Sequence, residues 1–391
     1  MNLNLGLFGF GCVGQGLWDV LHRTNGLRSS IARICVKDRK KSRPLSQDYF
    51  TYDKDDILND PEINVVVELI DDADAAFDIV SKAMRQGKAV VTANKKMVAT
   101  RFRELLDLQT STGMPLLYEA STGGSIPIIR NLEEYYDNDL LSGVEGIVNG
   151  TTNYIFTQLM ENPERGYAHA LAEAQAKGFA ESNPSLDVDG WDATYKTLII
   201  AAHSMGSVLD PRQIVRRGIS HITPFDIAAA RSLGCTVKLL SRVLLHGNGF
   251  SASVLPALIP NSDSLANINN EMNAIRLHGA FSDDQLLVGK GAGAHPTASA
   301  VLSDISALRY SYRYEYKKLQ QADAPVFNIG NPVRVFVRGP KELLNELPFS
   351  DVHVDHRTSS GSYRIGDLSL LDLSRSFAFN SETCFIATMV E

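Results

Sequence analysis

The sequence predicts an α/β fold in which a doubly wound parallel sheet comes first, an α+β domain follows and a small C-terminal module closes the chain. Three observations carry that expectation. Short β-branched runs alternate with helical stretches from Leu3 to Glu119, the pattern of a parallel sheet covered by helices. A glycine loop, GFGCVG at Gly9 to Gly14, falls between the first strand and the first helix. The middle of the chain then changes character, with alanine-rich and long apolar helices set among strand-like pieces.

Taken in order, Leu3 to Phe8 alternates apolar and polar residues and runs into Gly9, so it reads as a strand broken by a turn. Gln15 to His22 has helical spacing. Ile31 to Val36, Val65 to Ile70 and Ala89 to Thr92 read as the next strands, with a helical stretch at Phe77 to Arg85. Leu116 to Glu119 is a fifth strand, followed by the small, glycine-rich Ser121 to Ser125. Further on, Val144 to Val148 is strand-like, a helix runs from Tyr154, Ala168 to Lys177 is helical, and a long apolar helix spans Trp191 to Met205. Phe250 to Pro256 and Ala274 to Val288 contain strand-like pieces, and a helix of small residues runs from Thr297. Tyr316 to Asp323 is charged and linker-like, with strands expected at Val333 to Val337 and Phe385 to Val390. The expected domains are 1–130 for a dinucleotide, 131–315 for substrate and dimerisation, and 316–391 as the small module.

Composition narrows the function classes. With 391 residues, 44% of them hydrophobic, the chain can bury a large core. No apolar run is long enough for a membrane helix, and the first residues lack a basic flank or cleavage site, so neither a membrane span nor a signal peptide is expected. The net charge of −7 is mild and basic clusters such as Arg39, Lys40 and Lys41 are short, which argues against nucleic acid as a partner. Cys12, Cys35, Cys235 and Cys384 are scattered without metal or disulfide spacing, which fits the cytoplasm.

Gly9, Phe10, Gly11, Cys12, Val13 and Gly14 point to a dinucleotide in a Rossmann-type domain. The first glycine permits the turn, the second lets backbone approach a pyrophosphate, and the third allows close packing of helix on strand. A glycine turn without a ligand is the plainer alternative. The second strand ends in Lys37, Asp38, Arg39 and Lys40, which point in opposite directions: an acid would hold the ribose of NAD, and Arg39 would accept the 2′-phosphate of NADP. The balance favours NADP with tolerance of NAD, against a merely solvated turn.

Other residues have both chemical and structural readings. Lys95 ends a buried strand where open α/β sheets place ligands, or is an exposed lysine at a strand end. Asp192 and Lys196 are four apart on one helix face, the spacing of a surface ion pair, yet the helix continues as an apolar run from Thr197 to Ala202. Glu119 to Ile126 is a strand-end carboxylate followed by small residues, which leaves carbonyl oxygens to converge on a cation or simply forms a tight turn before Pro127. Asn149, Gly150 and Thr151 line a pocket or cap a helix.

Five segments resemble homoserine dehydrogenase: VVTANKK at Val90 to Lys96, EASTGGSIPI at Glu119 to Ile128, GIVNGTTNYI at Gly146 to Ile155, GFAESNPSLDVDGWDATYK at Gly178 to Lys196, and KGAGAHPTASAV at Lys290 to Val301. The resemblance implies NAD(P)-dependent interconversion of L-homoserine and L-aspartate 4-semialdehyde, in threonine, methionine and isoleucine biosynthesis. It assigns Lys196 the proton transfer, with Lys95 assisting. Glu181 and Asp192 would contact substrate, with Asn149, Gly150 and Thr151 in the pocket, and Gly291 and Gly293 beside the cofactor. A monovalent cation such as sodium would be held by backbone atoms of Glu119, Thr122, Gly124 and Ile126. Rivals are another dehydrogenase of a small amino or hydroxy acid, and a nucleotide-sensing protein without catalysis.

Asp71 and Asp72 stand where the family usually has small residues, and Asn183 where it more often has aspartate. The glycine loop begins at once, so a monofunctional enzyme without a preceding kinase segment is expected. The tail lacks the usual turn of an ACT domain, which leaves a degenerate ACT-like module. A homodimer is expected through the middle domain, on apolar runs at Ile227 to Ala230, Val243 to Leu245 and Val254 to Ile259.

Overall fold

The computed structural model describes residues 2–24, 26–137 and 140–390. The backbone groups into two units, Met1–Asp137 with Lys290–Lys317, and Asn138–Gly289 with Lys318–Glu391.

The first unit holds strands β1 (Leu3–Phe8), β2 (Ser29–Cys35), β3 (Phe50–Thr51), β4 (Val65–Glu68), β5 (Ala89–Thr92) and β6 (Leu116–Leu117). All pair in parallel, in the order β3-β2-β1-β4-β5-β6. The order reverses between β1 and β4, and the carboxyl ends of the strands at such a switch are where these sheets take ligands. Val66, Val67, Val90 and Val91 are all buried, which is why β4 and β5 read as apolar runs, while β1 alternates around the buried Leu5 and Leu7. The helix Cys12–Arg23 starts inside the glycine loop, ahead of the apolar periodicity. The helix Ala294–Leu308 packs so closely on it that a Cβ on Gly16 would lie 2.5 Å from the Ala294 carbonyl oxygen. That contact places residues 290–317 with the first unit, where the sequence had put them in a middle domain ending at 315.

The second unit is built on one mixed sheet. Its strands are β7 (Leu141–Ile147), β8 (Val215–Arg216), β9 (Cys235–His246), β10 (Gly249–Pro260), β11 (Met272–Gly279), β12 (Asp284–Lys290), β13 (Val326–Phe327), β14 (Pro332–Arg338), β15 (Asp351–Arg357), β16 (Ser362–Ser369) and β17 (Phe385–Met389). Nine run in the order β12-β11-β7-β9-β10-β17-β14-β16-β15, and β8 and β13 pair with β10. The helices Gly150–Glu161 and Trp191–Met205 pack on this sheet.

The tail differs from the separate module expected from residue 316. Strand β17 pairs in parallel with β10 at Ala257 and Leu258, and Val215 and Leu255 share a core with Val335, Val337 and Ile386. Backbone pairing and a common core make it part of the second unit. The apolar runs taken as a reason for a dimer also have another explanation. Ile227, Ala230, Val243 and Val254 to Ile259 are buried within this unit, where they serve its own core, while Leu244 and Leu245 stay half-buried. Among the described residues no helix is long and apolar enough to cross a membrane, and all four cysteines are free thiols.

Candidate active site

In the first unit the glycine loop follows from steric demand. Gly9 has φ +97°, and a Cβ there would lie 2.7 Å from the Leu69 oxygen, while one on Gly14 would lie 2.7 Å from the Gly9 oxygen. Gly11 is different, because nothing lies within 4 Å of the position its Cβ would take. It caps the Cys12–Arg23 helix without any side-chain hydrogen bond, so the N–H groups of Cys12, Val13 and Gly14 open the helix with no partner one turn back. Open space beside such N–H groups fits a pyrophosphate.

Phe10 and Gly11 border a cavity of about 470 Å³ that continues to Lys37, Lys41, Arg43 and Tyr52. Arg39 lies over the Tyr52 ring, 4.7 Å from its centroid, and does not border this cavity. Asp38 uses one carboxylate oxygen on its own turn, accepting the backbone N–H of Lys40 at 2.8 Å and of Lys41 at 3.3 Å. Arg43 donates to the carbonyl oxygens of Lys41 and Asp38, which closes the same turn. Asp72 has a structural reason as well: it caps the helix Ala73–Arg85 by accepting from Asp74 and Ala75, and those bonds hold its carboxyl below the usual range. Asp71 is exposed.

Lys95 opens a short helix, Lys95–Thr100, at the carboxyl end of β5, and is half-buried. Asn94 caps that helix through Met97 N–H and also donates to the Ile70 oxygen. Thr92 holds the Asn94 N–H and donates to the buried Glu68, whose other oxygen accepts from Ile70. This network ties the ends of β4 and β5 together. Burial pushes the Glu68 carboxyl up to about 7.

The Glu119 carboxylate is held by backbone donors. It accepts the N–H groups of Ile129 and Arg130 at 2.9 and 2.8 Å, and burial pushes it up to about 7. Its backbone N–H donates to Asp304. The backbone oxygens nearby are a different matter, since those of Thr122 and Gly124 accept no hydrogen bond among the described residues. Gly124 has φ +59° and a Cβ there would meet the Gly291 oxygen at 2.4 Å, which sets the Lys290 to Gly293 loop against this turn. Gly293 precedes the Ala294–Leu308 helix with φ +122°.

The second unit gathers a polar cluster in an otherwise apolar interior. Lys196 donates to Asp192 at 2.8 Å and to the Val148 oxygen at 2.6 Å. Its third ammonium hydrogen has no acceptor among the described residues. Asn149 caps the Gly150–Glu161 helix through Thr152 N–H and donates to both Asp187, at 2.7 Å, and Asp192, at 2.9 Å. Thr151 lies 3.2 Å from the other Asp187 oxygen. A Cβ on Gly150 would be 2.7 Å from the Glu271 oxygen, so the helix start needs glycine. Burial and the neighbouring Asp192 charge raise the Asp187 carboxyl. Glu181 is exposed and outside this cluster; Asn183 caps the turn at Ser185.

Asp187 is the residue that sequence reasoning missed. It lies within the GFAESNPSLDVDGWDATYK segment, on a short helix, Ser185–Val188, where nothing in the sequence separates it from the neighbouring Asp189.

Two family models match consecutive parts of the chain: homoserine dehydrogenase, NAD binding domain, over residues 9–119, and homoserine dehydrogenase over 127–306. A homoserine dehydrogenase of Bacillus subtilis is 36% identical over 320 residues, covering 80% of this chain and 74% of that protein. The chain belongs to the homoserine dehydrogenase family. The homoserine dehydrogenase of Helicobacter pylori is also 36% identical, over 78% of this chain and 73% of its own. Among solved structures, a homoserine dehydrogenase from Thiobacillus denitrificans covers 100% of this chain and 99% of its own at TM-score 0.89 and 28% identity. One from S. aureus has the same coverage at TM-score 0.76 and 28% identity. This homoserine dehydrogenase is therefore an NAD-binding oxidoreductase acting on a small molecule, and its tail strands are part of the fold it shares with those structures. A non-catalytic nucleotide sensor is not favoured.

Proposed function

We propose that this homoserine dehydrogenase interconverts L-homoserine and L-aspartate 4-semialdehyde with Lys196 as the acid/base and with NADP preferred over NAD. The observation that carries the reading is the enclosed Lys196 ammonium, aimed by Asp192 and the Val148 carbonyl with one hydrogen left over. That hydrogen serves the substrate oxygen, where the ammonium moves the proton and stabilises the developing alkoxide. Asp187 and Asp192, held by Asn149, offer carboxylates to the substrate ammonium. Gly150 and Thr151 shape that side of the pocket. Glu181 is a further contact on resemblance alone, and it must rearrange to reach the cluster. Lys95 assists in binding or proton movement.

The nicotinamide cofactor, when bound, supplies the acceptor of the hydride. The loop fits it, since Gly11 leaves open the space that a Cβ would fill and Gly9, Phe10, Cys12, Val13 and Gly14 surround it. Lys37, Lys41 and Arg43 in the adjoining cavity support NADP, while Asp38 uses one carboxylate oxygen on its own turn. Gly291 and Gly293 are cofactor neighbours on resemblance. Backbone atoms of Glu119, Thr122, Gly124 and Ile126 would hold a monovalent cation on resemblance, with the Thr122 and Gly124 oxygens open for it and those of Glu119 and Ile126 each accepting one N–H.

Free thiols at Cys12, Cys35, Cys235 and Cys384 support a cytoplasmic setting. A homodimer through the second unit is supported by a trough of about 630 Å³ around buried Glu145, bordered by half-buried Leu244, Val333 and Met389. Light scattering tests this: a mass near the 42.8 kDa of one chain overturns it. The activity is tested by following NADPH and NADH production in parallel during oxidation of L-homoserine. Faster turnover of another hydroxy or amino acid, or a preference for NAD, refutes the corresponding part.

A further inference from the structure

We propose that the second unit carries a binding site separate from the Lys196 cluster, for a small carboxylate with an apolar body. A cavity of about 520 Å³ lies between the 211–216 segment and the tail, with apolar walls from Trp191, Val215, Phe327, Ile329 and Phe379. A small molecule fits such a volume. Two guanidinium groups border it, and the fold treats them differently. Arg212 is exposed and already gripped by Asp210 through two bonds, at 2.8 and 3.0 Å.

Arg216 is half-buried, sits 3.7 Å from the centroid of the Trp191 ring and donates one N–H to the Asp189 carbonyl. Among the described residues no carboxylate forms an ion pair with it, and burial holds its pKa below the usual arginine value. The Asp189 charge opposes only part of that effect; a half-desolvated cation with no carboxylate in contact is costly, and an anion in the cavity offsets that cost. The indole covers one face of the guanidinium, which leaves its edge, a planar fork of donors, for the two oxygens of a carboxylate. The walls decide between anions. One unpaired cation among apolar side chains matches a monoanion, whereas a phosphate dianion would leave charge uncompensated against Phe327, Ile329 and Phe379. Trp191 directly precedes Asp192, so occupancy is felt at the start of the helix that carries Lys196.

The chain has two tryptophans, Trp18 and Trp191, so in a Trp18→Phe background Trp191 is the sole indole reporter. The full chain is titrated with 3-methylbutanoate while saturating L-homoserine keeps the Lys196 cluster filled. A saturable fluorescence change is expected, weakened at least about tenfold by Arg216→Gln, and as much by Ser374→Leu, which fills the cavity from the tail and leaves the guanidinium in place. Inorganic phosphate is expected to give no saturation over the same range. A linear response to the carboxylate, a response unchanged in both variants, or equal saturation by phosphate overturns the proposal.

Discussion

Lys196 and Asp192 lie one helical turn apart and meet at 2.8 Å with both side chains only 8% exposed. The same spacing on a solvated helix contributes about 0.3–0.5 kcal/mol. Here two charges have been taken out of water, at a cost of several kcal/mol each before their attraction is counted. That cost is what the proposed role of the ammonium would offset. Lys196→Ala should lower kcat by at least about a hundredfold, the usual size of an acid/base contribution. Because the variant strands Asp192 in the interior, NADPH binding is measured alongside; full activity with intact binding refutes the assignment.

Asp187 shares Asn149 with Asp192 and faces the same cluster. Asp187→Asn should raise KM for L-homoserine by about tenfold or more, the size of one lost charge-assisted bond, with a smaller change in KM for the cofactor. An unchanged homoserine KM would show that Asp187 only braces Asn149.

The cavity beside the glycine loop brings Lys41 and Arg43 forward and leaves Arg39 against Tyr52. Lys41→Ala should weaken NADPH binding at least about tenfold more than NADH binding, because only NADPH offers a 2′-phosphate to an ammonium and Arg43 is held in the turn by the Lys41 and Asp38 carbonyls. Arg39→Ala should do less. The opposite ranking, measured by titration with both cofactors, would restore Arg39 as the discriminating residue.

Glu68 supplies a pH dependence with a definite sign. Folding raises its carboxyl from 4.5 to about 7, so between those values the folded chain keeps a proton that the unfolded chain has released. Its contribution to stability is full below the lower value and is lost as pH rises through the upper one. Glu68→Gln, which cannot titrate, should flatten that part of the Tm profile between pH 4.5 and 7. An identical slope in the variant would mean that Glu68 is ionised throughout.

Local chemistry was enough for much of this protein. The strands β4 and β5 are legible because a strand buried on both faces must be an apolar run, β1 because its alternation runs into Gly9, and the Trp191–Met205 helix because of the apolar stretch from Thr197 to Ala202. Gly9 and Gly14 were legible because each answers a steric demand, and Gly11 because a ligand needs the open space beside it. What required the tertiary structure was everything decided by contacts between distant residues. The Ala294–Leu308 helix joins the first unit because Gly16 lets two backbones touch, and β17 enters the second sheet because β10 offers an edge. Asp187 becomes part of the cluster through Asn149, thirty-eight positions away in the chain, and Asp38 and Arg43 meet through the backbone of one turn. Periodicity records which face of an element is buried, and it carries no information about which distant residue will bury it.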